Sequence, residues 1–295
     1  MKTINILCLI CLFTFYISCQ QKPDQQEGEQ TTAITDEARA DFRKVMPNFP
    51  SAAEFSAQLQ AAGVEFDPAI LTNPDKAGQY AETNEKAAAM LGAYMYDLGY
   101  CAAFQKSSYT GEYFKAAQLL AQDLGGEKGF LEMLMNRYKE NINSNDSLKA
   151  YFRETYNHAS QKLGESPKEQ EYLKTIFLAG FYIEGLHNLL QVINTYPADE
   201  LSSEQAKVVL TPLIRAVLRQ KDNVYNLSRM LDEKVFELDN DIEYQNAFSE
   251  LNDLYNRLNV DQLIAENQIG KVLNNEVLQE MIRSVNNIRD RMITT

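Results

Sequence analysis

Apolar residues recur at helical spacing along most of this chain, and one segment, residues 171–193, is apolar on nearly every side. At about 100° per residue, its apolar side chains cover most of the circumference of a helix. These side chains are Leu173, Phe177, Leu178, Phe181, Tyr182, Leu186, Leu189, Val192 and Ile193. A helix that is apolar all round is buried. Glu184 and His187 interrupt this surface, and a functional interpretation must explain both polar groups.

Signals for helix starts and ends are frequent, whereas strand signals are almost absent. Residues 166–169, Ser-Pro-Lys-Glu, combine an N-cap serine, a first-turn proline and a glutamate three residues after the serine. They predict the start of the apolar helix, and Pro197 predicts that this helix ends before it. Asn73 followed by Pro74 predicts the start of a long helix that runs toward Phe104.

The remaining pattern predicts helices over most of the chain. They are expected at residues 35–46, 51–63, 110–124, 127–142 and 145–164, then from Ser202 or Ser203 with a kink or division at Pro212. Two C-terminal stripes follow, Phe248, Leu251, Leu254, Tyr255 and Leu258, and Val277, Met281, Val285, Ile288 and Met292. We therefore predict an all-α fold, an antiparallel helical-hairpin bundle of roughly ten helices. It is loosely similar to tetratricopeptide units, although no period of about 34 residues recurs.

The first 18 residues have the layout of a secretory leader. Lys2 precedes an apolar run, and the small residue Ser18 stands directly before Cys19. This junction resembles the processing site of bacterial lipoprotein precursors, in which the cysteine becomes the acylated first residue. Residues 20–30 contain no apolar side chain and are typical of a flexible tether. The predicted organisation is a lipoprotein signal peptide at 1–18, a tether at 19–34 and a helical domain at 35–295, with a possible sub-boundary at 196–203.

Acylation of Cys19 would decide the location of the protein. Several acyl chains, palmitate among them, would hold it stably at a bilayer. We expect attachment to the outer membrane. We also expect the protein to face the periplasm, because residues 20–24 lack a compact acidic run. The alternative is plain secretion, with Cys19 not acylated. Cys8 and Cys11 leave with the leader, so no internal disulfide is expected and Cys101 is interpreted as a small core residue.

The composition argues against several functional classes. The formal net charge is -13, and loss of Lys2 with the leader makes it -14. This charge disfavours nucleic acid, whose phosphates bind clustered Lys and Arg, and direct contact with anionic lipid. No Gly-rich phosphate loop, nucleophile elbow or Cys-x-x-Cys pair is present in the sequence. We therefore predict a noncatalytic protein without a cofactor, and an envelope hydrolase is a distant alternative.

Two segments of the chain have a similar pattern of aromatic, acidic and small residues. Residues 93–100 read Ala-Tyr-Met-Tyr-Asp-Leu-Gly-Tyr, and residues 179–186 read Ala-Gly-Phe-Tyr-Ile-Glu-Gly-Leu. These segments resemble a family of uncharacterised helical lipoproteins from Bacteroidetes-type bacteria. The family has an Asp-Leu-x-Tyr segment in the first helix and a Glu-Gly-Leu segment in the second. The resemblance spans about residues 73–195 and implies a location and an architecture, but no reaction. It does not extend to His187, where the family has an aromatic residue.

The same two segments contain paired small residues. Gly and Ala stand at 92–93, and Ala and Gly stand at 179–180, within otherwise bulky helices. Small residues allow two helix backbones to approach closely. We therefore predict that these two helices pack against each other at the paired small residues.

Asp97 and Glu184 each share a helix face with apolar residues. Acidic side chains are almost never fully buried unless they are paired. They would form either a carboxylate pair of raised pKa, or a polar contact in a ligand pocket. The structural alternative is that each accepts a hydrogen bond from a tyrosine or pairs with Arg or Lys. Asp97, Glu184 and His187 are accordingly the candidate ligand-binding residues.

Glu184 and His187 also have the spacing found in di-iron helical bundles. A complete di-iron site needs a second Glu-x-x-His, but the chain has two histidines, and one residue too many separates Glu154 from His158. A single zinc bound by Glu184, His187, His158 and Asp97 is geometrically conceivable, although no spacing demands it. We therefore predict no metal site and interpret His187 as a hydrogen-bonded residue of the core.

Two functional hypotheses follow. The first is a membrane-anchored cell-envelope lipoprotein that serves as an interaction or structural module, with a possible protein partner in the envelope. The alternative is a small-ligand or metal-binding protein with a site between the helices that carry Asp97 and Glu184/His187. A large exposed apolar patch would favour the first hypothesis.

Overall fold

A computed structural model of the chain describes residues 52–124, 167–196, 203–232, 242–266, 268, 272 and 275–294. All of them belong to one compact unit, Ile34–Thr295. Every regular element among them is helical, which confirms the prediction of an all-α fold of roughly ten helices. The helices expected at 35–46, 127–142 and 145–164, together with Cys19 and His158, lie outside the described residues.

The described residues form nine α-helices and two 3₁₀ helices. The α-helices are α1 (Ala52–Ala61), α2 (Asn84–Ala103), α3 (Ser107–Asp123), α4 (Pro167–Thr195), α5 (Ser203–Leu218), α6 (Lys221–Asp232), α7 (Ile242–Arg257), α8 (Val260–Ala265) and α9 (Glu276–Ile293). The 3₁₀ helices, Pro68–Ile70 and Pro74–Glu82, lie between α1 and α2.

The long helix expected from Asn73 toward Phe104 is divided into two elements. Asn73 does cap a helical segment, but Pro74–Glu82 is a 3₁₀ helix. Thr83 is extended, and its hydroxyl accepts a hydrogen bond from the backbone N–H of Lys86, so that α2 begins with its own N-cap. The prediction of one continuous helix was wrong because a threonine in the middle of the segment stabilises a second start.

This division places the start of α2 against the end of the last helix. The hydroxyl of Tyr80 donates to the backbone carbonyl of Ile293 at 3.2 Å, and the Lys86 ammonium donates to the carbonyl of Thr294. The last carbonyls of a helix lack partners within the helix, and a cation at that end is favourable. The C-terminal end of α9 is therefore satisfied by residues more than 200 positions earlier in the chain.

α2 and α3 form an antiparallel hairpin with a short connection. Gln105 adopts a left-handed conformation, with φ of 57°. Its backbone N–H donates to the carbonyl of Ala102, and the N–H of Lys106 donates to the carbonyl of Cys101, both at 2.9 Å. This is the Schellman arrangement, which closes the last turn of a helix. The long helix was expected to run toward Phe104, and it ends there, whereas the next helix begins at Ser107, three residues before the expected start at 110.

α4 is the central helix of the described fold, as its apolar surface predicts. Tyr172–Thr195 is long and apolar enough to cross a membrane, but 89% of its most apolar window is buried inside the structure. A core helix passes the same length and composition test. The apolar side chains of α4 are therefore covered by other helices, chiefly α2, α9 and α5.

α2 and α4 pack with their backbones in close contact. A methyl group built on Gly180 would overlap the backbone carbonyl of Ala89, and one built on Gly92 would lie 2.6 Å from the backbone nitrogen of Phe181. No side chain larger than hydrogen fits at either position without movement of the backbone. The prediction that the paired small residues form the contact is confirmed.

These two helices run parallel. Asn84 at the start of α2 donates to Glu169 at the start of α4 at 2.9 Å, and Asn188 near the end of α4 donates to Asp97 near the end of α2 at 3.4 Å. Residue numbers rise together along both helices. The α2–α4 pair is therefore a long-range contact and not a hairpin.

α5 is a single helix that continues through Pro212, so the expected division does not occur. A proline in a helix leaves the carbonyl four residues earlier, here that of Val208, without its hydrogen bond. The side chains of Pro212 and Val208 are both exposed, and Val208 is 73% exposed. Water can reach the freed carbonyl on this face, which explains why the helix tolerates the proline.

The last helix, α9, packs antiparallel to α7 and antiparallel to α4. Arg257 at the end of α7 pairs with Glu280 in the first turns of α9, and Asn286 of α9 contacts His187 of α4. Every residue of the two predicted stripes is buried except Val277, which is half-buried. Beyond the possible sub-boundary at 196–203, α4 also packs against α5 and α6, and that boundary stays a prediction.

Candidate functional site

A group of buried polar side chains lies where α2, α4 and α9 meet the segment between the two 3₁₀ helices. It consists of Thr72, Asp97, Glu184, Asn188 and Arg289, and none of them is more than 9% exposed. We call these five residues the central polar cluster. The structure thus brings Asp97 and Glu184 to one site, together with three residues that the sequence did not single out.

Glu184 and Arg289 form a bidentate ion pair between α4 and α9. Arg289 Nε donates to Glu184 Oε2 at 2.7 Å, and Arg289 Nη2 donates to Glu184 Oε1 at 2.9 Å. Two parallel charge-assisted hydrogen bonds are the strongest pairing that a carboxylate makes with a side chain. Both oxygens of Glu184 are therefore occupied by one guanidinium group, which agrees with the structural alternative for this residue.

Thr72 connects the two acidic residues. Its backbone N–H donates to Asp97 Oδ2 at 3.0 Å, and its hydroxyl oxygen accepts from Arg289 Nη2 at 2.9 Å. Its carbonyl oxygen accepts from the hydroxyl of Tyr113 at 2.6 Å. One residue of a short connecting segment is thus held by α2, α3 and α9 at once. The cluster joins four parts of the fold.

Asp97 has no direct cationic partner among the described residues. Its side chain accepts from the Thr72 N–H and, at 3.4 Å, from Asn188 Nδ2. The carboxamide oxygen of Asn188 is buried and has no hydrogen-bond partner within the described part of the chain. The side chain of Asp97 therefore has hydrogen-bond donors around it, but no positively charged group in direct contact.

The pKa values of Asp97 and Arg289 are both raised in this cluster, for different reasons. Burial, and then the negative charge of Glu184, raises the pKa of Asp97 well above its ordinary 3.8, although Arg289 and the Thr72 N–H oppose the shift. Burial alone would lower the pKa of Arg289, but the charge and hydrogen bonds of Glu184 and the charge of Asp97 raise it above its ordinary value. Arg289 is therefore permanently charged, whereas the charge of Asp97 depends on pH.

Tyrosine hydroxyls around the cluster hold backbone carbonyls. Tyr94 donates to the carbonyl of Asn73 at 2.8 Å, next to the Tyr113 bond to Thr72. Burial raises the pKa of Tyr94 and of Tyr113 far above the ordinary value of 10.0, and the charge of Asp97 adds to both shifts. These hydroxyls are neutral donors at neutral pH. They fix the connecting segment against α2 and α3.

His187 belongs to a separate contact between α4 and α9. Its Nδ1 lies 2.9 Å from Asn286 Oδ1, which also accepts from Gln191 Nε2 at 3.1 Å. Burial lowers the pKa of His187 below 6.5, although Glu184 raises it in part. His187 is therefore a neutral imidazole that donates through Nδ1 to an amide oxygen. This agrees with the interpretation of His187 as a hydrogen-bonded residue of the core.

The geometry of the described residues does not assemble the zinc ligand set. No three His, Cys, Asp or Glu side chains in the described part of the chain lie close enough together to hold a metal ion. Both oxygens of Glu184 bind Arg289, so a metal at Glu184 would have to displace a guanidinium. His158 lies outside the described residues.

Cys101 is buried and carries a free thiol. Burial, followed by the charge of Asp97, raises the pKa of the thiol above its ordinary 9.0. A reactive cysteine needs a lowered pKa and access to solvent, and Cys101 has neither. It packs as a small core residue, as the sequence indicated.

Two surface grooves lie away from the central polar cluster. One, of about 410 Å³, runs between α7 and α9 and is lined by charged side chains, including Asp253 and Arg283. The other, of about 520 Å³, lies between the end of α1 and the turn after α2, beside Phe66 and Lys106. Neither groove includes Asp97, Glu184 or His187. These candidate residues are therefore not displayed in either groove.

The two most important partners of the acidic pair could not be predicted with equal ease. Arg289 follows Met281 and Val285 at intervals of four and lies on the apolar stripe of α9, so a charged residue in that position was a detectable signal. Thr72 stands in an irregular segment between two short helices, where no periodicity applies. Its role emerges only from the three-dimensional contacts.

Comparison of the chain with protein-family models, with curated proteins and with solved structures finds no match. The described geometry and the sequence are therefore the basis for the functional proposal.

Proposed function

We propose that the chain is a membrane-anchored cell-envelope lipoprotein that acts as a noncatalytic interaction or structural module. The observation that carries the proposal is that Glu184 and His187, two of the candidate functional residues, are bound by other side chains of the helical core. Glu184 uses both carboxylate oxygens on Arg289, and His187 binds Asn286. Both contacts join α4 to α9, and such contacts between helices stabilise a rigid module.

The described surface favours a protein partner only through a polar groove. Several large apolar side chains are exposed on the described helices, namely Tyr109, Leu119, Val208, Tyr225 and Ile264. They lie on four different helices, and apolar residues scattered in this way are ordinary, so they do not themselves favour an interaction module. The groove between α7 and α9 is lined by charged side chains and is open to solvent. A polar protein surface fits such a groove better than a small apolar substrate does.

The anchoring part of the proposal rests on the sequence around Cys19. A leader that ends in a small residue, a cysteine and a tether without apolar residues together favour acylation at that cysteine. The acidic charge of the chain makes electrostatic attachment to anionic lipid unfavourable. An acyl anchor would therefore supply the membrane attachment, and the outer membrane with a periplasmic face is the proposed location.

Replacement of Cys19 by serine is expected to release the protein from the membrane. The intact chain is produced in a bacterium that processes lipoproteins, grown with a fatty acid that carries a clickable tag. The unchanged chain is expected to incorporate the tag and sediment with membranes, whereas Cys19→Ser does neither. Cys101→Ala is the matched control and should keep both properties. A tagged, membrane-bound Cys19→Ser variant would contradict lipidation at this residue.

Addition of metal is expected to leave the thermal stability of the protein unchanged. Thermal unfolding is measured after chelator treatment and again with Zn²⁺ or Fe²⁺. A metal that binds the folded state raises Tm. An increase in Tm that is lost in His187→Ala would favour the alternative of a metal-binding protein. Loss of stability in Glu184→Gln does not separate the two functions, because that change also disrupts the pair with Arg289.

A further inference from the structure

The two acidic groups of the central polar cluster share one cation. If both were ionised, Asp97, Glu184 and Arg289 would together carry a net charge of -1, although the most exposed of the three is only 9% exposed. An uncompensated charge in such a site is costly, and the usual response of a buried carboxyl group is to take up a proton. The arrangement therefore calls for one proton on one of the two carboxyl groups.

We propose that Asp97 is a proton-binding site, which holds a proton at neutral pH and releases it only at higher pH, so that one buried carboxyl group makes the stability of the fold sensitive to pH.

The hydrogen bonds assign the proton to Asp97. Both oxygens of Glu184 accept hydrogen bonds from Arg289, at 2.7 and 2.9 Å, so the guanidinium occupies the positions that a proton on Glu184 would need. Asp97 accepts one backbone N–H at Oδ2, while Oδ1 faces the Asn188 carboxamide at 3.4 Å. Oδ1 accepts only this long bond, so it is the oxygen with room for the proton. The adjoining carboxamide oxygen of Asn188 lacks a donor among the described residues and can accept that proton after a half-turn of the amide.

The titratable and charged groups near Asp97 supply only one positive charge, that of Arg289. The groups are Tyr94, Tyr96, Tyr100 and Cys101 on α2, Tyr113 on α3, Glu184 on α4 and Arg289 on α9. Burial raises the pKa of each of these tyrosines and of Cys101, that of Tyr100 to about 12. They are neutral when Asp97 titrates. The charged groups that face Asp97 are therefore Glu184 and Arg289.

The direction of the pH dependence follows from the raised pKa of Asp97. Its folded-state pKa lies well above 3.8, so the stability it contributes is fully present below that value and is lost as pH rises toward the folded-state pKa. In this window the unfolding equilibrium constant rises by up to about tenfold per pH unit. His187 acts in the opposite direction, because its lowered pKa costs stability as pH falls. The contribution of Asp97 is therefore isolated as a difference between variants.

Asp97→Asn replaces the carboxyl group with a neutral group of the same shape. Denaturant unfolding of the intact chain and of Asp97→Asn is measured between about pH 5 and pH 8. The ratio of the two unfolding constants, unchanged chain over variant, is expected to rise with pH by up to about tenfold per unit. Asp123→Asn, at an exposed aspartate near the end of α3, should keep the pH dependence of the unchanged chain. A ratio for Asp97→Asn that does not change with pH would overturn the proposal.

A second measurement needs no substitution. The intact chain is labelled with aspartate carrying ¹³C in its side-chain carboxyl, and infrared difference spectra are recorded during a pH titration. A labelled band of a neutral carboxylic acid is expected at neutral pH and should vanish as the pH rises. Labelled aspartate distinguishes this band from any protonated glutamate. If every aspartate is already ionised at neutral pH, Asp97 is not a proton-binding site.

Discussion

Replacement of Arg289 by methionine is expected to lower the free energy of unfolding by about 3–5 kcal/mol. The methionine keeps the apolar contacts of the arginine stem but leaves the Glu184 carboxylate buried with neither of its charge-assisted hydrogen bonds. The variant also removes a donor from the hydroxyl of Thr72. Removal of one partner from a buried ion pair is among the most destabilising single changes. Denaturant unfolding at constant pH measures the loss.

A double variant separates the cost of the buried charge from the value of the pair. Glu184→Leu together with Arg289→Met replaces both charged groups with apolar ones and is expected to recover most of the stability, because no unpaired charge remains. Arg283→Met, at an exposed arginine of the same helix, is the control and should change stability by less than about 1 kcal/mol. A loss in Arg289→Met no larger than that of the control would show that Glu184 is not buried against α9.

Substitution of Gly180 by alanine is expected to destabilise the fold by at least about 2–3 kcal/mol. The added methyl would overlap the backbone carbonyl of Ala89, so α2 and α4 must separate. A backbone cannot rotate away as a flexible side chain can. Alanine is intrinsically better than glycine in a helix by about 1 kcal/mol, so any observed loss understates the cost of separation. Thermal or denaturant unfolding reports the difference.

Gly111 provides the matched control for this prediction. It lies within α3, and a methyl built there meets no atom within 4 Å. Gly111→Ala is therefore expected to stabilise the protein by about 0.5–1 kcal/mol, through helix propensity alone. The two changes are chemically identical and differ only in their surroundings. If both variants were stabilised, the close approach of α2 and α4 would be refuted.

The spacing of apolar residues and the local signals for helix starts and ends were sufficient to predict much of the described fold. The apolar circumference of α4 predicted its burial, and the small residues at 92–93 and 179–180 predicted its neighbour. Local signals were less reliable where two of them compete. Asn73 and Thr83 both cap helical segments, so the expected long helix became a 3₁₀ helix followed by α2. Pro212 failed to divide α5 because it lies on the exposed face, and a sequence pattern does not include access to water.

The candidate site was predicted in part. An acid on an apolar helix face requires a partner, and this reasoning identified Asp97 and Glu184. Their positions on α2 and α4, beside the paired small residues, explain why they meet. The identity of the partners depends on how a helix near the C-terminus returns across α4, which pairwise spacing does not encode. Arg289 was detectable as a charge on an apolar stripe, but its pairing with Glu184 and the role of Thr72 became evident only from the assembled fold.

The contacts of Arg289 span almost the whole described chain. Its guanidinium reaches the carbonyl of Ile70 and the hydroxyl of Thr72, residues 219 and 217 positions earlier. Glu184 stands 105 positions before Arg289, so its ion pair forms only when α9 packs across α4, and closing so long a loop is slow. Among the described residues, no other side chain makes a salt bridge with Glu184. A chain that ends before α9 would therefore leave this buried carboxylate without its counter-charge, and we expect such a chain not to reach the native fold.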